Sequence, residues 1–313
     1  MPLPLRARLR RALRPAGHDG RGDSPGDTRG AGTASRVRRW RSRLTRRRVL
    51  AAAVVLALVA GLVGWAVWPE RTSWTTTDAI LTVRSGPGGD EPVDLDTRYY
   101  LPTGASAERP VPAVLLAHGF GGTKHSVRAD AEDLAELGYA VLTYTARGFG
   151  RSGGQIHLDH PDYEVRDASR LLDWLAARPE IRRDAAGDPR VGVVGSSYGG
   201  ALALLLAAYD QRVDAIVPMI TWHDLARSFL PESTGREPVD GVFKKGWAGL
   251  FFGSGGSAGP DRAATPPGAA PAGIDPACGR FAPDVCAAYL RIATSGRADA
   301  EAVELLRRSS PAG

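Results

Sequence analysis

The sequence predicts an α/β domain, a mostly parallel sheet with helices on both faces, preceded by one transmembrane helix. Three observations predict it. Short apolar runs alternate with stretches of helical spacing between residues 79 and 221. His118, Arg147, Ser197 and Trp222 each fall just after such a run, where the carboxyl ends of parallel strands gather a site. Residues 49–68, VLAAAVVLALVAGLVGWAVW, hold no charge over twenty positions.

Of the 313 residues 43% are hydrophobic, enough to build a core. The net charge of +6 is unevenly spread: residues 1–48 carry fifteen Arg and three Asp, or +12, and the remainder is −6. The basicity belongs to a tail, so no nucleic-acid partner is expected for the globular part. Residues 1–48 read as a disordered, Arg-rich cytoplasmic tail.

Residues 49–68 form the predicted transmembrane helix. At 1.5 Å per residue they span about 30 Å, the thickness of a bilayer's hydrocarbon core. The Arg-dense RVRRWRSRLTRRR precedes them and the near-neutral Pro69-Glu70-Arg71 follows. The positive-inside rule then keeps the N-terminus in the cytoplasm and sends the rest outward. The expectation is a single-pass plasma-membrane protein with an extracytoplasmic domain. The alternative is secretion after cleavage of a twin-arginine-type signal around Thr45–Leu50, which the long apolar run and the lack of a clean Ala-x-Ala site disfavour. Both put Cys278 and Cys286, the two cysteines, in an oxidising compartment, where their C-x7-C spacing is expected to close as a disulfide.

A polar linker covers 69–78. Ala79–Val83 and Val93–Tyr100 read as strands about the turn SGPGGDEP. Val111–Ala117 is a continuous apolar run, a strand buried on both faces. Ser126–Leu137 has helical spacing and ends at Gly138. Ala140–Thr145 is a second buried strand, and Tyr163–Ala177 a helix with Val165, Leu171, Leu172 and Leu175 inward. Val191–Val194 is a short strand leading into GSSYGG, Ala201–Tyr209 an apolar helix and Val213–Ile220 the next strand. The core is thus placed at 79–221. Residues 253–277 are mostly Gly, Ala and Pro without period, and two amphipathic helices follow, Asp284–Thr294 and Asp299–Arg308. Residues 222–313 read as a partial helical lid.

Gly195-Ser196-Ser197-Tyr198-Gly199 fits the nucleophile elbow G-x-S-x-G. A serine on a strained strand-to-helix turn needs small neighbours two residues away, which Gly195 and Gly199 supply. The turn leaves the Tyr198 N–H at a helix N-terminus, where it can hold an oxyanion. The loop HGFGG at 118–122 supplies a second N–H from Phe120, with His118 as a brace. Gly148–Gly153 matches G-x-G-x-x-G, but QIHLDHPDYE follows where a dinucleotide site needs a helix. His157, His160, Asp159 and Asp162 lack a completing cluster for metal and read as loop residues. No cofactor or metal is expected.

HGFGGTK at 118–124, RGFGRSGG at 147–154, YEVRDASRLLDWLA at 163–176 and DPRVGVVGSSYGG at 188–200 together resemble the X-Pro dipeptidyl-peptidase and cocaine-esterase-like family of α/β-hydrolases. The resemblance implies the α/β-hydrolase fold and a serine hydrolase of acyl esters or of dipeptides after proline, with Ser197 as nucleophile. Two departures stand out. The family's best-known branches place an oxyanion tyrosine in the loop after the third strand, and FGGTKHS has none. The triad of this fold runs Ser, then Asp or Glu, then His, and of six histidines none follows His223. The expectation is that the triad acid and histidine are missing from this chain, that the fold's C-terminal part is incomplete, and that the sixth strand keeps an open edge. His223, beside Asp224, is the remote substitute base. Two functions follow: a membrane-anchored serine hydrolase acting on a small acyl ester or peptide substrate, or an inactive pseudoenzyme or fragment serving as a binding module. Sequence leaves the oligomeric state open.

Overall fold

The computed structural model describes residues 48–62, 72–232, 238, 241–254 and 278–312. The chain divides into two units, residues 1–68 and 69–313. In the first, residues 48–62 form a helix (α1) whose side chains are all exposed. Among the described residues no helix is long and apolar enough to cross a membrane. The predicted span 49–68 continues past residue 62 into positions outside the described residues, as does the tail before residue 48.

The second unit is built on a six-stranded sheet of order β1-β2-β4-β3-β7-β8. These are β1 Trp74–Ser85, β2 Glu91–Pro102, β3 Ala113–Ala117, β4 Ala140–Tyr144, β7 Val191–Ser196 and β8 Val213–Met219. The β1–β2 hairpin pairs antiparallel, as does β2 with β4. The β4–β3, β3–β7 and β7–β8 pairs are parallel. β1 begins at Trp74, inside the stretch read as linker, because its Thr-rich start pairs along β2 as far as Pro102. A small hairpin that the apolar pattern does not signal, β5 Arg183–Ala185 with β6 Asp188–Pro189, lies in the connection from β4 to β7, just before β7; its residues are largely exposed.

β3 and β4 are buried at all five positions, as continuous apolar runs require. Their alternate residues feed two cores. Leu115, Leu142 and Tyr144 face helices α3 (Arg166–Ala176) and α4 (Tyr198–Tyr209) through Leu171, Leu172, Leu202 and Leu206. Val114, Leu116 and Val141 face α2 (Arg128–Glu136) through Ala131 and Ala135. Period two in the strands and about 3.6 in the helices thus produce one sheet covered on both sides. β8 is the sheet's last strand among the described residues. Its outer side stays open, with Val217 51% and Met219 40% exposed, which suits an unpaired edge.

Beyond β8 come α5 Leu225–Phe229, α6 Lys245–Ser254, α7 Pro283–Ser295 and α8 Ala300–Arg308. The first two were not legible in the sequence: α5 is one short turn capped by Asp224, whose side chain accepts from the Arg227 N–H. Cys278 and Cys286 are joined as a disulfide. The segment it ties also bridges to Ile156, through Ile156 N–H to the Arg280 carbonyl (2.8 Å) and Ala282 N–H to the Ile156 carbonyl (3.0 Å). Residues 255–277 lie outside the described residues.

Candidate active site

β7 runs straight into Ser197, which caps α4 at φ 54° and ψ −114°. An L-residue holds that left-handed φ only under strain, of order 1–3 kcal/mol. The glycines around it are there for space. A Cβ on Gly195 would collide with the Gly199 carbonyl, and one on Gly199 with the Ala117 carbonyl at the end of β3. Two hydrogen bonds clamp the turn: Ser197 N–H donates to the Met219 carbonyl (2.8 Å), and Thr221 Oγ1 donates to the Ser197 carbonyl (2.8 Å). The end of β8 thus holds the serine by hydrogen bonds, while the end of β3 packs closely on Gly199.

The loop after β3 lies against this turn. A Cβ on Gly119 would stand 3.7 Å from Ser197 Cβ, so the following Phe120 is next to the serine. Neither the Phe120 N–H nor the Tyr198 N–H finds an acceptor among the described residues. His118 is buried and works as a brace: Nδ1–H donates to the Gly119 carbonyl (2.7 Å) and Nε2 accepts from the Ala146 N–H (2.9 Å). Burial pushes its pKa down to about 4, so the ring is neutral. Lys124 anchors the far end of the loop, with Nζ 2.7 Å from Asp96 and 2.8 Å from Asp78 on the β1–β2 hairpin. The Arg98 guanidinium beside Asp78 holds that carboxyl well below the usual range.

Ser197 opens onto a cavity of about 260 Å³. Its walls come from the sheet end and the lid: Phe120, Trp222, Phe251, Phe281, Tyr289 and Leu305 among others. Phe120 makes ring contacts at 5.0 to 5.8 Å with Phe149, Tyr198, Phe251 and Phe281. The disulfide-tied segment thus delivers Phe281 to the same aromatic wall as Phe120. His223, the remote substitute base, is exposed and does not line the cavity, and its backbone carbonyl accepts from the Ala312 N–H (2.9 Å). Among the described residues no imidazole is hydrogen-bonded to Ser197.

Behind the elbow lies a polar cluster that sequence reasoning missed. The Tyr198 side chain points back into the fold, accepting from the Asp159 N–H (3.0 Å) and donating to Glu164 (3.3 Å). Glu164 is buried and also accepts from the His157 and His160 N–H groups, at 2.6 and 3.1 Å. Burial raises its pKa to about 7. Asp159, buried at φ 62° beside Leu158 at the same φ, has no partner for either carboxyl oxygen among the described residues, and burial pushes its pKa well up. Leu158 itself lines the cavity. Arg147 pairs with Asp167 (2.6 and 2.9 Å), reaches Ser85 and lies 5.0 Å over the Tyr163 ring. A sequence signal existed: Glu164, Asp167, Leu171 and Leu175 fall on one helical stripe, so two acids occupy inward positions. Residues 157–162, read as loop, thus form part of the elbow's support, and a π-turn over Pro161–Val165 precedes α3. No metal-holding group of His, Cys, Asp or Glu occurs among the described residues.

Glu164 gives a pH prediction. A carboxyl whose folded pKa is raised binds its proton more tightly in the folded state. Its stabilising contribution is therefore fullest below the unfolded value, near 4.5, and is lost as pH rises through about 7. His157, whose pKa burial pushes down to about 4, works in the opposite direction below pH 6.5. Glu164→Gln should reduce the loss of stability between pH 5 and 7.5, leaving the part that comes from Asp159, also raised by burial. Urea unfolding at those two pH values checks it, and an unchanged slope would show that Glu164 is not the titrating group.

The model of the X-Pro dipeptidyl-peptidase (S15) family matches residues 89–242. The quorum-quenching protein AidA of Acinetobacter baumannii is 37% identical over 127 residues, 40% of this chain and 39% of that protein. A thermostable monoacylglycerol lipase of a Bacillus species is 32% identical over 132 residues, 40% of this chain and 48% of the lipase. A cutinase of Thermobifida fusca is 28% identical over 184 residues, 55% of this chain and 54% of the cutinase. The chain spans about a third to a half of the length of the curated relatives it matches. Among solved structures, acetyl xylan esterase 1 of a Thermoanaerobacterium species superposes with a TM-score of 0.40 at 21% identity, covering 51% of this chain and 57% of that one.

Proposed function

We propose, from the premise that residues 89–242 belong to the X-Pro dipeptidyl-peptidase-like family of α/β-hydrolases, that the chain is a serine hydrolase acting on small acyl esters. The observation that carries this is Ser197, held at positive φ on a glycine-walled turn at the floor of an aromatic cavity, with two uncommitted N–H groups beside it. Ser197 Oγ attacks the acyl carbonyl carbon. The carbonyl oxygen takes up the negative charge and is held by the Phe120 and Tyr198 N–H groups. Collapse expels the alcohol and leaves an acyl-serine, which water cleaves. The neutral, doubly hydrogen-bonded His118 braces the oxyanion loop and takes no part in proton transfer. The Ser197 proton leaves with the alcohol, and among the described residues no imidazole is hydrogen-bonded to Ser197 to carry it.

The test is covalent. A fluorophosphonate probe on the native protein should form one adduct, located on Ser197 by peptide mass, and Ser197→Ala should form none. A second reading, a non-catalytic binding module, is favoured by the lack, among the described residues, of an imidazole at Ser197; absence of any adduct on a folded protein that still binds ligand would establish it in place of the enzyme.

We also place the hydrolase unit outside the cytoplasm, held by the apolar run at 49–68. The Cys278–Cys286 disulfide and the Arg-rich residues before the run support this. After treatment of whole cells with an impermeant reductant, an impermeant maleimide should modify these cysteines on denaturation; cysteines that stay unmodified in whole cells and react only after lysis would overturn the placement.

A further inference from the structure

The cavity above Ser197 says more about the substrate than the family does. Its lining among the described residues contains no carboxylate. The one formally charged side chain there is Lys244, which is exposed. The remaining polar groups are few: the Ser197 and Ser228 hydroxyls, the Tyr198 and Tyr289 rings' edges and the indoles of Trp222 and Trp247. Of these, the Tyr198 hydroxyl is already committed to Asp159 and Glu164, and the Trp222 Nε1–H to the Ser309 carbonyl (3.0 Å). The rest is Phe, Leu, Val, Ile and Ala from α5 to α8 and from the loops that carry Phe120, Leu158, Phe243 and Phe281.

A dipeptidyl substrate enters such a site with a protonated α-amino group leading. Desolvating an ammonium without a counter-ion is strongly unfavourable, and a lysine at the rim adds like-charge repulsion. The acidic side chains closest to the elbow, Asp159 and Glu164, cannot serve: both are buried behind Tyr198, absent from the cavity wall, and raised by burial toward their neutral forms. The volume is also informative. At about 260 Å³ the cavity lies just under the roughly 300–1,000 Å³ of sites that enclose a drug-sized ligand. It suits one medium-length chain rather than a branched, hydrogen-bonding peptide.

We infer that this pocket is an acyl-chain site selecting uncharged esters of medium-length apolar acids, and that it rejects substrates carrying an ammonium on the acyl side. The inference rests on the serine-hydrolase reading for turnover, but the binding it describes does not.

The experiment therefore separates the two. Methyl ketones are carbon isosteres of the ester that cannot be hydrolysed, and Trp222 and Trp247 report on the cavity by fluorescence. On the full chain, methyl heptyl ketone should bind more tightly than methyl ethyl ketone by about fourfold per added methylene. The same heptyl ketone with an ammonium at the far end of its chain should bind at least about a hundredfold more weakly than the uncharged one. Ala288→Trp, which fills the lid side of the cavity, should weaken the heptyl ketone. In parallel, hydrolysis of p-nitrophenyl octanoate, p-nitrophenyl acetate and Ala-Pro p-nitroanilide is measured. Chain-length-dependent ketone binding with no hydrolysis upholds the acyl site and sinks the hydrolase reading. Cleavage of the acetate and of Ala-Pro p-nitroanilide in preference to the octanoate upholds the hydrolase and overturns the acyl site. Equal ketone affinities, or tight binding of the ammonium ketone, overturn it as well.

Discussion

Replacing Ser197 by glycine should make the protein more stable and abolish the hydrolase activity proposed above. The serine sits at φ 54° and ψ −114°, a conformation that costs an L-residue of order 1–3 kcal/mol and glycine almost nothing. Glycine gives back about 0.5–1 kcal/mol through the greater freedom of the unfolded chain. The net expectation is a gain of about 1 kcal/mol, or about 2–4 °C in Tm for a unit of this size. Ser197→Ala keeps the Cβ and the strain, so its Tm should stay at the parent value. Both variants should lose fluorophosphonate labelling, and ester hydrolysis should fall by at least about a thousandfold. Differential scanning calorimetry on the three proteins decides the matter. A Gly variant no more stable than the Ala variant would mean that the elbow is relaxed, and the claim that the fold holds Ser197 under strain would be lost.

Much of this site can be read in the sequence because glycine and serine at fixed offsets have only one sterically consistent arrangement between a buried strand and a helix. Gly195 and Gly199 are such positions, and the structure shows the carbonyls that exclude any other residue there. The sheet was legible for the same kind of reason. Runs such as Val111–Ala117 and Ala140–Thr145 are too apolar to face water on either side, and β3 and β4 prove buried throughout. What stayed hidden depends on partners distant in the chain. Asp159 and Glu164 look like loop and helix-start acids, and only Tyr198, more than thirty residues later, draws them into the interior. The lid helices α5 and α6 carry weak local signals and are held by contacts across the cavity, with Phe251 against Phe120 and Phe229. Lys124 reads as part of a loop motif; its function as an anchor requires Asp78 and Asp96 from a hairpin read separately.

The largest expected loss of stability comes from Arg147→Met. Arg147 and Asp167 are both buried, 4% and 1% exposed at the side chain, and bonded through two oxygens. Burial pushes Asp167 above the ordinary carboxylate range even with Arg147 beside it. For the carboxyl the ion pair returns less than desolvation takes, while the same contact holds the Arg147 guanidinium above its ordinary value. Removing the cation alone leaves a carboxylate in the interior and should destabilise by about 3–5 kcal/mol at pH 7. The deficit should shrink as pH falls, because an acid with a raised folded pKa recovers stability on protonation. Replacing both partners by apolar side chains, Arg147→Met with Asp167→Leu, should recover most of the loss, leaving a double-mutant coupling of a few kcal/mol. Full recovery in stability need not restore function. Arg147 also lies over Tyr163, on the π-turn that carries Glu164 to the Tyr198 hydroxyl. If the ion pair serves only to fold the chain, the double variant should label at Ser197 as the parent does. If it also sets the elbow, labelling should stay slow while urea unfolding returns to normal. A double variant as unstable as Arg147→Met would show instead that the guanidinium contributes through Ser85 and Tyr163, with its charge partner a minor part of its role.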